Sequence, residues 1–380
     1  MRRTTRSGFR RAAGKLAPLL VLLLFVGCQA PAPAPEPEPD DVKAGAERKV
    51  ELVEVARSDR QWTGVAVSRT GRIFVNFPRW SQDTGVSVGE LDADGSILPF
   101  PSESWNRFAP SESVLDQFVC VQSVFVDATN TLWILDPASP RFEGVVPGAA
   151  KLLRVDLASN RVTRIYRFDE RSAPVDSYLN DVRVDAARGV AYITDSGRGG
   201  LVVLDLVTGA SRRVLEDHLS TRSEGVLLVI GGRSWRRDDG GVPQVHADGL
   251  ALTADGESLF YQALTGRTLY RIPTAWLRDP SLTDEQIASA VIRVARAGSC
   301  DGMLLGPDGR LYRTALEKDA IESLDPARPR LRTDVTDRRL AWPDSLAAGP
   351  DGSIYVTTAQ IHRGLPAPEP YRLFRFQPLP

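Results

Sequence analysis

Ala247-Asp-Gly-Leu-Ala-Leu-Thr-Ala-Asp-Gly-Glu-Ser-Leu-Phe-Tyr261 and Cys300-Asp-Gly-Met-Leu-Leu-Gly-Pro-Asp-Gly-Arg-Leu-Tyr312 are two copies of one unit. Each copy has a polar leading residue, a small residue, an alternating strand, an Asp-Gly turn and a second strand. Period-two alternation specifies strands, and Asp-Gly specifies the tight turn between them. Related copies run over Trp62–Asn76, Val121–Asp136, Leu179–Asp195 and Pro343–Tyr355. Further strand signals lie between copies, as in Lys151–Asp156 and Gly200–Asp205. Two added strands per copy make a four-stranded blade, so the expectation is an all-β, six-bladed β-propeller over residues 49–380. One helix is expected near Leu282–Ala290, as an insertion in the fourth blade.

Strand arithmetic also predicts how the ring closes. Only Tyr371–Phe376 remains after the last copy, which leaves that blade one strand short. Val50–Ala56 is a strand without a blade. Pairing the two would cover both open edges. Small residues at Gly64, Ser123, Gly249, Gly302 and Ser345 are expected where strands crowd a central axis.

In such a ring the leading residues gather around one mouth: Thr63, Gln122, Asn180, Asp248, Asp301 and Asp344. None is apolar, and three consecutive ones are carboxylates. Converging carboxylates repel unless something offsets them. A divalent cation, Ca²⁺ above all, suits carboxylate and amide oxygens, with Asn180, Asp248 and Asp301 as ligands. A protonated carboxyl, Arg313 as counter-ion, a cationic organic ligand or a merely hydrated channel are the alternatives. Asp248, Asp301 and Asp344 are the candidate catalytic acids. Thr63, Phe77, Gln122, Asn180, His246, Gln262, Arg313 and Gln360 are the candidate ligand-binding residues. Trp62, Phe77, Trp80, Trp342 and Tyr261 are candidates for an aromatic wall or, equally, for blade packing. Three scattered His residues make no zinc motif, and no phosphate loop occurs. Cys120 and Cys300 fall in opposite blades, so two free, packed thiols are expected.

The N-terminus reads as targeting. Arg2, Arg3, Arg6, Arg10, Arg11 and Lys15 precede an apolar run, Leu16–Val26, that ends in Gly27-Cys28. The expectation is a lipoprotein signal over residues 1–27 with lipidation at Cys28. Residues 28–48, with alternating Pro from Pro31 to Pro39, are expected to be a disordered tether. The protein is then held at a membrane of the cell envelope, or secreted. Formal net charge is −1 for 380 residues. Cleavage before Cys28 removes six basic side chains and no acid, leaving −7. Such a charge gives no reason to expect nucleic acid as partner. A monomer that takes a small-molecule ligand is expected.

Ile73-Phe-Val-Asn-Phe-Pro-Arg-Trp80, Leu132-Trp-Ile-Leu-Asp136, Leu269-Tyr-Arg-Ile-Pro-Thr-Ala-Trp-Leu-Arg-Asp279, Ser299-Cys-Asp-Gly-Met303 and Trp342-Pro-Asp-Ser345 resemble the Yellow / major royal jelly protein family. The resemblance implies a secreted six-bladed propeller. It also implies a central pocket that in some insect members takes biogenic amines, while others are linked to dopachrome conversion. A more distant similarity is to the gluconolactonase / senescence-marker propellers. It implies a divalent cation held by a first-blade Glu and later Asn and Asp residues. Asn180 and Asp301 fall at comparable positions, but Thr63 stands where the Glu would be. Two functions are therefore expected: binding of an aromatic or cationic small molecule, or metal-dependent lactonase or tautomerase chemistry.

Overall fold

The computed structural model describes residues 50–81, 85–109 and 114–379. The signal, Cys28 and the tether lie outside them. Six four-stranded antiparallel sheets make the six expected blades. Their innermost strands are Val65–Val67, Ser123–Val126, Leu179–Asp185, Ala247–Leu252, Met303–Leu305 and Pro343–Ala348. In each blade the chain then steps outward strand by strand.

The sixth blade closes the ring as the strand count requires. Its order from the axis is Pro343–Ala348, Ile354–Thr358, Tyr371–Phe376 and, outermost, Val53–Ser58. Val53 pairs with Arg375 and Ser58 with Tyr371. The last strand of the chain thus carries the first on its free edge.

The blades pack face to face through apolar side chains supplied by both neighbours. Among the described residues each gap has its own buried cluster. Phe74 and Leu132 share the gap between blades one and two, and Val75 and Leu373 share the gap that closes the ring. The blade-four insertion holds two short helices, Thr274–Arg278 and Asp284–Ser289. Thr283 and Gln286 form a reciprocal capping box on the second.

The axis is as crowded as the small residues suggested. A Cβ on Gly249 would strike the carbonyl oxygen of Asp301, and one on Gly302 that of Asp344. The innermost strands also lose register at the axis, between Leu179 and Val182, Ala247 and Leu250, and Pro343 and Leu346. Such bulges free backbone amides and re-aim side chains. Cys120 and Cys300 are free and buried, and burial pushes their thiols up to about 12 and about 11.

Deletion of residues 50–57 exposes the edge of Tyr371–Phe376 and opens the ring. The expected outcome in a thermal melt is a fall in Tm of roughly 10 °C or more. An unchanged Tm would show that this strand does not close the propeller.

Candidate functional site

Bulged backbone amides near the axis need acceptors, and side chains of the second strand provide them. Gly64 donates to Asn76 Oδ1 at 3.0 Å, Asp181 to Thr194 Oγ1 at 3.0 Å, and Ser345 to Thr357 Oγ1 at 3.1 Å. The same side chains then donate to the next blade. Asn76 Nδ2 reaches the carbonyl of Gln122 at 3.0 Å, Thr194 Oγ1 that of Asp248 at 2.6 Å, and Thr357 Oγ1 that of Thr63. Each brace fixes the backbone of a mouth residue in the neighbouring blade.

The structure brings all six expected mouth residues to one ring and buries them. A hydrogen-bond chain runs along them with one direction. Trp80 Nε1 donates to Tyr178 Oη at 2.7 Å, and Tyr178 donates to Gln122 Oε1 at 3.0 Å. Gln122 Nε2 donates to Asn180 Oδ1 at 3.2 Å, and Asn180 Nδ2 donates to Asp248 Oδ2 at 2.9 Å. Asp248 shares a hydrogen bond with Asp301. From the other side Trp342 Nε1 donates to Asp301 Oδ2 at 2.7 Å. Ser345 donates to Asp344 Oδ1 at 3.2 Å. Thr63 is the exception to the chain, since its hydroxyl donates to the carbonyl of Gln122 at 3.1 Å.

Asp181, below the mouth, is a fourth axial carboxylate. Gly, Ser or Asp stands at the corresponding place in the six copies, and only the third has Asp. That departure from a small residue was the signal for it. Ser123 donates to Asp181 Oδ1 at 3.0 Å, and Arg183 lies 3.6 Å from Oδ2.

Among the described residues Asp248, Asp301 and Asp344 form no ion pair with Lys or Arg. The buried cations are engaged elsewhere: Lys151 with Asp136 at 3.2 Å, Arg213 with Asp195 at 2.7 Å, Arg313 with Glu322 at 2.6 Å. Burial is therefore the main cause that holds the carboxyls of Asp248 and Asp344 well above the usual range, with the charge of Asp301 next. Burial raises Asp301 to about 7, against the opposing hydrogen bond from Trp342. Burial dominates the shift of all three, and their mutual interaction links their titrations.

The other expected site residues do different work. Phe77 lines a cavity of about 330 Å³ beside the mouth, with Trp80 and Tyr371, and carries Arg60 over its ring at 4.6 Å. His246 accepts from the Ser223 amide at 2.9 Å through Nδ1. Gln262 Nε2 donates to the carbonyl of Gly298 at 2.6 Å. Arg313, besides Glu322, donates to the carbonyls of Ala297 and Gly298. Gln360 Nε2 donates to the carbonyls of Glu369 and Pro370. These last three hold loops and strands, and Arg313 does not serve as counter-ion to the mouth. Of the expected aromatic residues, Trp342 touches the acids and Trp80 joins the polar chain. Trp62 is fully buried against Phe77, and Tyr261 stacks on Tyr270 within blade four. Phe142 was not foreseen; it stacks on Trp80 at 5.3 Å and lies 5.1 Å from the Tyr178 ring.

Asn180, Asp248 and Asp301 have the residue types a hard cation needs. In this arrangement, however, Asn180 turns its NH₂ toward Asp248 and its oxygen toward Gln122. Among the described residues no group of three or more His, Cys, Asp or Glu is disposed to hold a metal. Here Asn180 and Trp342 bring N–H donors to the acids.

Geometry and chemistry together define a six-bladed propeller with a polar, acid-bearing axial mouth. The chain belongs to the major royal jelly protein family, whose profile matches residues 119–361. No curated protein matches it. Solved structures of similar fold include a luciferin-regenerating enzyme, 12% identical over 87% of this chain and 96% of that one, with a TM-score of 0.53. A gluconolactonase from Xanthomonas campestris is 15% identical over 87% and 90%, with a TM-score of 0.52. The calcium-binding protein regucalcin from Agrobacterium tumefaciens is 15% identical over 86% and 94%, with a TM-score of 0.51. At these identities the likeness shows the fold.

The proton-holding cluster has a signed consequence for stability. Asp301 binds its proton up to about pH 7 when folded but only to about 3.8 when free. Stability is full below the free value and falls as pH rises through the folded one. Asp301→Asn removes that loss. Between pH 4.5 and 8 the wild-type Tm should fall relative to the variant by several degrees; parallel Tm curves would contradict a proton-sharing cluster.

Proposed function

We propose that the mouth binds a small organic cation, with Asp248, Asp301 and Asp344 as counter-charge and Trp342 and the Trp80–Phe142–Tyr178 group as aromatic partners. The observation that carries this reading is the buried triad without a paired Lys or Arg. Burying carboxyls is costly unless they are neutralised or paired. A bound ammonium group would replace the shared protons, and an aromatic surface adds cation–π attraction. Family membership supports a ligand of this kind, since some insect relatives take amines centrally.

A second reading is enzymatic. A carboxyl that titrates near neutrality is suited to general acid–base work, and Asp301 at about 7 has that property. Lactone hydrolysis or tautomerisation would fit such a group. A divalent cation in the same place would first require the Asn180 amide to turn its oxygen toward Asp248.

Calorimetry with phenethylamines at pH 6 and 8 tests the binding reading. The expected result is proton release on binding and an affinity about 10-fold higher at pH 8, because the ligand competes with protons for the cluster. Asp301→Asn should weaken binding about 10-fold or more. Affinity that is independent of pH and of Asp301 would overturn the reading. Turnover of lactones or aminochromes that is lost in Asp301→Asn would favour the enzyme, and its loss in EDTA with recovery in Ca²⁺ would favour the metal.

A further inference from the structure

The face opposite the mouth holds a second concavity, independent of the reading above. A funnel of about 750 Å³ opens there among the turns that join the first two strands of the blades. Its wall carries Phe125, Val126, Leu252, Leu304 and Leu305, all only partly buried, and its lining also includes Asp127, Asp185 and Asp255. It narrows toward the axis into a chamber of about 90 Å³ that reaches Ser123, Asp181 and Ser345. Arg183 lines both spaces, and its side chain is 9% exposed.

A guanidinium at the end of such a funnel is an unusual expenditure of burial. Its hydrogen bonds go to two carbonyls, Val182 at 2.7 Å and Met303 at 2.6 Å. These fix its position but bring no negative charge. Among the described residues its ion-pair partner is Asp181, whose Oδ2 stands 3.6 Å away, close enough for charge attraction but beyond hydrogen-bond reach. Burial pushes the Asp181 carboxyl above the usual range, against the opposing Arg183 charge and the Ser123 hydrogen bond. Phe125 lies under the guanidinium plane at 5.1 Å. Stacking of that kind leaves the edge of the fork, with its N–H donors, open to an acceptor. Nη1 and Nη2 each spend one N–H on the carbonyls of Val182 and Met303, out of the five that a guanidinium carries.

We propose that the funnel is a binding site for an organic carboxylate with an apolar body, the carboxylate on Arg183 and the body against the Phe125–Leu252–Leu304 wall. Charge-assisted contact at the floor selects the anion. The wall selects an aliphatic or aromatic tail and excludes strongly hydrated anions. The arrangement distinguishes an amphiphile from an inorganic ion, because neither half of the site is complete alone.

The test is calorimetric titration of the purified full chain with octanoate, octan-1-ol and acetate. Octanoate should bind at least 10-fold more tightly than either of the others. Arg183→Met should weaken octanoate at least 10-fold and leave octan-1-ol unchanged. Arg183→Lys should recover part of the loss. Because Arg183 is buried, a second variant guards against a folding defect: Leu252→Asp places a repelling charge on the partly exposed wall and should also weaken octanoate at least 10-fold. Equal binding of octanoate and octan-1-ol, no octanoate binding at all, or an affinity untouched by Arg183→Met and Leu252→Asp would each overturn the proposal.

Discussion

Close approach of six innermost strands around one axis is the constraint on which the remaining structure depends. Strands this close have no room for side chains at every position, so Gly249 and Gly302 press their α-carbons against the next blade's carbonyls. Bulges relieve the crowding but leave amides without ladder partners. Asn76, Thr194 and Thr357 accept from those amides and pass the load on to the next blade's carbonyl. Such a hydrogen bond is worth about 1 kcal/mol net, yet an unsatisfied buried amide costs more. The braces therefore matter less for what they add than for what their loss would leave unpaired.

The acids at the mouth are a consequence of the same geometry. Bulging at Asn180-Asp181, Asp248-Gly249 and Asp344-Ser345 turns the leading side chains toward the axis and fixes them there. Held by backbone rather than by one another, they cannot move apart to relieve repulsion. Retained protons, one hydrogen bond from Trp342 and one from Asn180 offset the charge instead. The opposite end of the axis buries a cation, Arg183, whose acidic partner Asp181 stands 3.6 Å away.

Much of this was legible in the sequence, and for identifiable reasons. Alternation and Asp-Gly turns repeat six times, which fixes blade number, and the unpaired Val50–Ala56 strand fixes closure. The mouth residues followed from one position in the repeat. What was not legible sat one residue away. Arg313 and Gln360 looked like site residues, but side chains alternate faces, and Thr314, next to Arg313, turns to the axis instead. Arg313 runs back into blade five to Glu322, a pairing across strands that no local pattern reveals. Asp181 was hidden because the repeat suggested a small residue there. Phe142 lies in a loop outside every repeat, so periodicity had nothing to say about it.

The central claim is that Asp248, Asp301 and Asp344 share protons at neutral pH because burial leaves them without cationic partners. Infrared difference spectroscopy of the protein with ¹³C-labelled aspartate carboxyls reads this directly. The account predicts a protonated-carboxyl band that persists at pH 6.5 and shrinks in Asp301→Asn. A spectrum in which all aspartates are ionised by pH 5.5 would contradict it.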